Sequence, residues 1–227
     1  MTPETEALVR SATARTAVPF VPEVTLLTAA EPFSLWDRTD CEAPPFWAFP
    51  WAGGQGLARY VLDHPETVAG RDVLDIASGS GLVAIAAAKA GARSVTAGDI
   101  DENALAAIAL NAAANGTPQV IPRELDLAAA RGGDAARVAA GPGRGDHAGR
   151  APAVILAADV FYQRDLAAMA LAFLTAARRA GAIVLAADPA RAFVPRAELT
   201  ALMSYEIPVL TVLEDTPVKT VTIYALP

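Results

Sequence analysis

The sequence predicts an α/β fold: an open, mostly parallel sheet of about seven strands with helices on both faces and an antiparallel hairpin at its C-terminal end. Three observations predict it. From Arg71 onward, short apolar runs alternate with helix-forming stretches, the order of βαβ units. The first run, Val73-Leu-Asp-Ile76, breaks into Ala77-Ser-Gly-Ser-Gly81 and is followed at once by the helical stretch Leu82 to Ala90, so strand, glycine turn and helix follow in sequence. The last two β-rich runs, Ile207 to Leu213 and Val218 to Ala225, are joined by only Glu214-Asp-Thr-Pro217, too little chain for a helical crossover.

Taken in order, residues 3 to 14 predict a short helix with Pro3 near its start. Val18 to Thr28 is extended, and its two prolines restrict it to an edge or irregular strand. From Glu31 to Pro50, large rings and prolines crowd together and predict an ordered loop. Leu57, Tyr60 and Val61 share a face of a helix from about Gly54 to Asp63, which His64-Pro65 stops.

Strand one is Val73 to Ile76. The next helix ends at the C-cap Gly91, and strand two runs from Ser94 to Ala97 and closes on Gly98-Asp99. Asp101 caps a helix carrying Leu105, Ile108 and Ala112, which ends at Asn115-Gly116. Strand three lies near Val120-Ile121. Residues 129 to 150, rich in glycine and alanine with little periodicity, predict a flexible surface insertion. Ala153 to Ala157 is the uninterrupted apolar run of a central parallel strand. A helix from Asp165 to Arg179, a strand from Ala182 to Ala186 and a last helix from Ala197 to Met203 precede the terminal hairpin. Residues 1 to 44 form an N-terminal extension expected to pack on a single domain covering 45 to 227.

The 227 residues, 53% hydrophobic and 19% charged, suffice for one well-packed core. A net charge of −7 argues against a nucleic-acid partner, which wants clustered Lys and Arg. The single Cys41 excludes an internal disulfide. The acidic start has no apolar leader, and no uncharged run reaches the ~20 residues that span a bilayer. A soluble, cytoplasmic, monomeric protein is expected. Neither His64 nor His147 has neighbours in sequence that suggest a metal.

The glycines match a dinucleotide pattern as well, so they decide little alone. Asp75 discriminates: a pyrophosphate beside that carboxylate would be repelled, whereas the ammonium of S-adenosylmethionine (SAM) would be attracted. Asp75, Gly79 and Gly81 therefore begin a SAM site. Asp99 closes strand two, where a carboxylate accepts both ribose hydroxyls; NAD and SAM sites share that feature. Asp126 follows strand three, where it could accept from the adenine amino group or simply be solvated. Asp101 serves better as a helix cap. Asp159-Val-Phe-Tyr162 follows strand four at the same sheet edge, where an aspartate and a tyrosine can orient an amine toward a sulfonium methyl. Trp47, Phe49 and Trp51 could wall the cofactor, although aromatic clusters are more often plain core.

Val73-Leu-Asp-Ile-Ala-Ser-Gly-Ser-Gly81, Asp99-Ile-Asp101 and Asn111-Ala-Ala-Ala-Asn-Gly116 resemble the Rossmann-like, seven-β-strand SAM-dependent methyltransferases. Pro45-Phe-Trp-Ala-Phe-Pro-Trp-Ala-Gly-Gly-Gln-Gly-Leu-Ala-Arg-Tyr60 together with Asp159-Val-Phe-Tyr162 resembles the protein-lysine methyltransferases that carry Asp-x-x-Tyr after strand four, most of all the electron-transfer flavoprotein β-subunit lysine methyltransferase family. Asp188-Pro-Ala-Arg191 is similar to that family's Asp-Pro-Gly-Arg segment. The resemblance runs from about Pro45 to the C-terminus, outside the 129 to 150 stretch.

The resemblance implies SAM as donor and a protein lysine, with the flavoprotein β subunit as the candidate partner. Asp159 and Tyr162 would be catalytic; Trp51, Asp75, Gly79, Gly81, Asp99 and Asp126 would bind cofactor; Trp47, Phe161, Asp188 and Arg191 would meet substrate. A small-molecule, nicotinamide-like N-methyltransferase, an NAD-dependent oxidoreductase and a non-catalytic binding module stay open as alternatives.

Overall fold

Runs of alanine, valine, leucine and isoleucine that cannot face water on either side build the centre of the sheet. The computed structural model describes residues 2–29, 35, 45–130, 151–209, 211, 214 and 216–227. Helix α1 (Pro3–Ala12) opens on a capping box between Thr2 and Thr5 and leads into strands β1 (Ala14–Val18) and β2 (Val21–Thr28). After a 3-10 turn at Phe46–Ala48 come α2 (Ala52–Asp63), β3 (Asp72–Ile76), α3 (Leu82–Lys89), β4 (Ser94–Asp99), α4 (Glu102–Ala114), β5 (Val120–Glu124), β6 (Val154–Ala158), α5 (Arg164–Arg179), β7 (Ile183–Asp188), β8 (Thr200–Pro208) and β9 (Val218–Ala225).

The main sheet has seven strands in the order β5-β4-β3-β6-β7-β9-β8. β3 to β7 are parallel, and β9 alone runs against them, inserted between β7 and β8. Side chains alternate across the sheet. Val73, Val95, Ala97, Val154, Leu156 and Leu185 pack with Leu57 of α2, Val83 of α3 and Ile108 of α4. Leu74, Ile76, Ile155, Ala157 and Ala186 pack with Phe173 and Leu174 of α5 on the other face. Each fully buried Val, Leu, Ile or Phe among them contributes about 1.5–3 kcal/mol.

The predicted strands and helices between Arg71 and Ala186 stand within two residues of their expected ends, except that β5 runs on to Glu124. Two expectations are corrected. The extended Val18 to Thr28 is one arm of a hairpin, because Ala14–Val18, expected partly as helix, pairs antiparallel with β2 across a turn at Pro19-Phe20. Ala197 to Met203, expected as the last helix, belongs instead to a turn and to the strand β8, which begins at Thr200 and pairs with β9 through Pro208. A helix that short is marginal alone, and the ladder that β9 offers overrides the helix-forming alanines and leucine. The expected insertion lies, from residue 131 on, outside the described residues, as do Cys41 and His147.

The small hairpin is tied to the main body by Asn111 in the last turn of α4 and by Asn115, which caps its C-terminus. Asn115 accepts from Thr25 N at 3.0 Å and donates to Thr25 O at 2.6 Å, imitating a neighbouring strand. Asn111, fully buried, accepts from Leu27 N at 2.8 Å and donates to Ser80 O at 2.8 Å.

Candidate active site

β3 has β4 on one side and β6 on the other, while the chain crosses over to both, so the loops after these strands diverge and leave a crevice at their C-terminal ends. Asp75, Gly79, Gly81, Asp99, Asp126, Asp159, Tyr162, Asp188 and Arg191 all stand at or just past those ends.

Asp75 is buried at 1% exposure, and Ser78 Oγ donates to its Oδ2. Burial pushes its carboxyl up to about 7, with Asp99 adding repulsion and the Ser78 and Ala84 donors opposing it. The loop after it turns through left-handed backbone: Ala77 at φ +48, Gly79 at +56 and Gly81 at +81. Gly81 is needed there twice over, since a Cβ would also stand 3.3 Å from Ile108 of α4. Asp99 closes the loop from β4: its Oδ2 accepts from Gly79 N at 2.8 Å and its Oδ1 from Asp101 N at 3.1 Å. Burial raises its carboxyl as well. Each carboxylate oxygen keeps a second lone pair for an incoming hydroxyl. Asp101 caps α4 by accepting from Asn103 N at 2.8 Å. Asp126 accepts from Ala128 N at 2.8 Å on the next loop. A buried carboxylate and a half-buried one, with no lysine or arginine in Ala77–Gly81, fit a phosphate-free cationic ligand such as SAM.

Asp159 sits at φ +54 right after β6. Its Oδ2 accepts from Gly54 N at 2.8 Å, at the N-terminus of α2, where the helix dipole favours negative charge. Its Oδ1 is buried without a hydrogen-bond partner among the described residues; Arg191 Nη2 stands 3.6 Å away. Burial pushes Asp159 up to about 6; Arg191 pulls it down, and Asp188 and Glu214 push it further up. Asp188, fully buried, accepts from Arg191 N at 2.6 Å and is likewise pushed by burial to about 6. Between them, Ala190 has φ +64 where the resembling segment carries glycine.

Tyr162 is 40% exposed beside this group, and its hydroxyl is raised by burial and by Asp99. Phe46 lies between Tyr162 and Trp51, with ring centroids 5.3 Å and 5.7 Å away, and Trp51 Nε1 donates to Phe46 O at 2.9 Å. This ring ladder runs from Tyr162 through Phe46 to Trp51.

Two expected substrate contacts are not at the crevice surface. Trp47 is 1% exposed and packs among Val9, Phe49 and Ala104, and Phe161 is fully buried in the layer under α5. Phe46 and Glu214 take part in the site without having been singled out. Phe46 is one ring among several in its stretch. Glu214 is distant in sequence, and nothing local marks it as buried at 7% exposure. Among the described residues no group of three or more His, Cys, Asp or Glu could hold a metal, and no helix is long and apolar enough to cross a membrane.

A family model described as ribosomal protein L11 methyltransferase (PrmA) matches residues 60–133. The electron transfer flavoprotein beta subunit lysine methyltransferase of Rattus norvegicus is 48% identical over 83 residues, 36% of this chain and 32% of that protein. The protein so named in Homo sapiens is 49% identical over 82 residues, 35% and 31% of the two chains. These matches span under a third of those relatives' lengths. The Xenopus laevis protein of the same name is 34% identical over 184 residues, 79% of this chain and 68% of that protein. Among solved structures, a candidate RNA methyltransferase from Pyrococcus horikoshii superposes with TM-score 0.54 at 16% identity over 99% of this chain and 96% of that one. TrmN from Thermus thermophilus gives 0.52 at 21% identity over 83% and 55%. At these identities the structures show the shared fold alone.

Proposed function

This chain belongs to the family of the electron transfer flavoprotein beta subunit lysine methyltransferases, SAM-dependent enzymes, and we propose that it moves a methyl group from SAM to the ε-amine of a protein lysine, with the flavoprotein β subunit as the acceptor protein. The observation that carries this reading is the placement of Asp159 and Tyr162. They stand at the sheet edge that bears the Asp75-to-Gly81 loop, with a carboxylate oxygen of Asp159 buried and without a hydrogen-bond partner among the described residues.

When bound, SAM supplies an electrophilic methyl group on a sulfonium. Asp75 and the Gly79–Gly81 loop would hold its methionyl end, Asp99 its ribose, and Asp126 and Trp51 would border the adenosine. The chain's own contribution is alignment and exclusion of water. Asp159 Oδ1 accepts from the amine and holds its lone pair toward the methyl. The Tyr162 hydroxyl supplies a second contact, and Arg191 fixes the Asp159 carboxylate from behind. The nitrogen must be neutral to attack, so a proton leaves it before transfer. Asp159, held by burial at about 6, is the base assigned to take it.

Incubation with methyl-labelled SAM, purified electron transfer flavoprotein and nicotinamide tests the proposal. The expected result is label on the β subunit, released as methyllysine on hydrolysis. Label on nicotinamide and none on protein would identify a small-molecule N-methyltransferase instead.

A further inference from the structure

A cavity of about 250 Å³ adjoins the acceptor side of the crevice, between the β1–β2 hairpin, the start of α2 and the end of β8. Val18, Ala29, Phe49, Trp51 and Val209 supply much of its wall. Of the described residues lining it, only Glu214 is charged. Gln55 also lines it, but its amide is engaged, donating to Pro50 O at 2.8 Å and accepting from Phe20 N at 3.3 Å. Apolar cavities of about 150 Å³ already admit benzene, so this one accommodates a chain of several carbons.

The cavity adjoins the residues around Asp159, which is not itself part of its wall. Ala52 lines it, and a side chain on the next residue, Gly53, would meet the Asp159 carboxylate. Glu214 belongs to both places. Its Oε1 is 3.4 Å from Arg191 Nη2, the nitrogen that stands 3.6 Å from Asp159 Oδ1, and its Oε2 is 3.5 Å from Lys219 Nζ. These separations exceed the ~2.7–2.9 Å of a charge-assisted hydrogen bond, which leaves Glu214 able to take a closer cationic donor.

We propose that this cavity receives a linear primary alkylammonium, the side chain of the acceptor lysine, with its methylenes along Phe49, Trp51 and Val209 and with Glu214 selecting the cation on its way to Asp159. The inference rests on the lysine reading above and deepens it by assigning the specificity-determining carboxylate. A neutral nicotinamide has no use for Glu214.

Calorimetry tests it, with the protein first titrated with S-adenosylhomocysteine and then with n-pentylammonium, n-pentanol and nicotinamide separately. The expected result is pentylammonium binding about tenfold or more tightly than pentanol. That preference is lost in Glu214→Gln. In Ala17→Leu, which narrows the cavity from β1, pentylammonium binding is lost while Glu214 is untouched. Equal affinity for pentylammonium and pentanol, a preference that survives Glu214→Gln, or binding of nicotinamide alone overturns the inference. Failure of S-adenosylhomocysteine to bind counts against the donor reading instead, and the amine titrations into the free protein then decide the cavity by the same comparison.

Discussion

The carboxylate of Asp159 occupies the space that a side chain on Gly53 would take. A Cβ there would lie 2.6 Å from Asp159 Oδ2 and 2.7 Å from its Cγ, while the next residue, Gly54, donates its N–H to that same oxygen at 2.8 Å. The catalytic candidate and the start of α2 are thereby locked together. Gly53→Ala is expected to displace the carboxylate and cost about 1–3 kcal/mol of stability, the usual range for overpacking. Methyl transfer should fall about tenfold or more while the SAM dissociation constant changes little. Initial rates and calorimetry on the same preparation separate the two effects, and an unchanged rate would remove Asp159 from the acceptor site.

Asp99 closes the glycine loop, and the proposed site assigns it the ribose of SAM. Asp99→Ala leaves Gly79 N without its acceptor and removes the ribose contact, so SAM affinity is expected to fall by about 10- to 100-fold, the worth of about 1.5–3 kcal/mol. Calorimetric titration measures it. Unchanged affinity would sink the ribose assignment.

Acid titration should show in both stability and binding. Asp75 is held at about 7 and Asp159 and Asp188 at about 6, all above their unfolded values. Between about pH 4 and about pH 7 the folded chain therefore binds protons that the unfolded chain has released, so these groups make stability decline as pH rises through that window. The melting midpoint of the ligand-free protein should drop between about pH 4 and about pH 7, less steeply in Asp75→Asn. SAM binding should show the opposite trend. In the proposed site its ammonium pairs with ionised Asp75, so affinity should weaken toward about tenfold per unit below pH 7. A dissociation constant independent of pH over that range would argue against the Asp75–ammonium contact.

Asn111 satisfies two backbone groups of different segments, Leu27 N in the hairpin and Ser80 O in the glycine loop. Asn111→Ala strands both, at about 1–3 kcal/mol each, so denaturant unfolding should register a loss of about 2–5 kcal/mol. A loss below about 1 kcal/mol would mean that water replaces both partners.

Ala190 carries left-handed backbone at φ +64 and is exposed, so its methyl adds strain without packing. Ala190→Gly is expected to be neutral to stabilising by up to about 1 kcal/mol, strain relief of ~1–2 kcal/mol being offset by the larger entropy of unfolded glycine. Thermal unfolding of the two forms checks the sign.

Most of the crevice was legible because its residues sit at punctuation points. Asp75, Asp99, Asp159 and Asp188 each end an apolar run, and a parallel sheet brings the ends of such runs to one edge. Rings were not legible in the same way. Trp47, Phe46, Phe49 and Trp51 look alike on paper, yet Trp47 is sealed in the core while Phe46 lies against Tyr162 in the crevice. Aromatic character says that a ring wants a surface, not which one. Phe161 misled for the same reason, since a residue inside a functional motif can still point its side chain into the core.

The sequence alone determined the order of strands and helices, the glycine turn and the carboxylates at the strand ends, because these depend on periodicity and local backbone chemistry that neighbours in the chain dictate. Only the tertiary structure decided that Thr200–Pro208 is a strand, that Asn111 and Asn115 tie the hairpin to the sheet body, and that Glu214 reaches Arg191 beside Asp159. Each of those is a contact between distant segments. Its free energy exists only once the sheet has brought the partners together, and no local pattern records it.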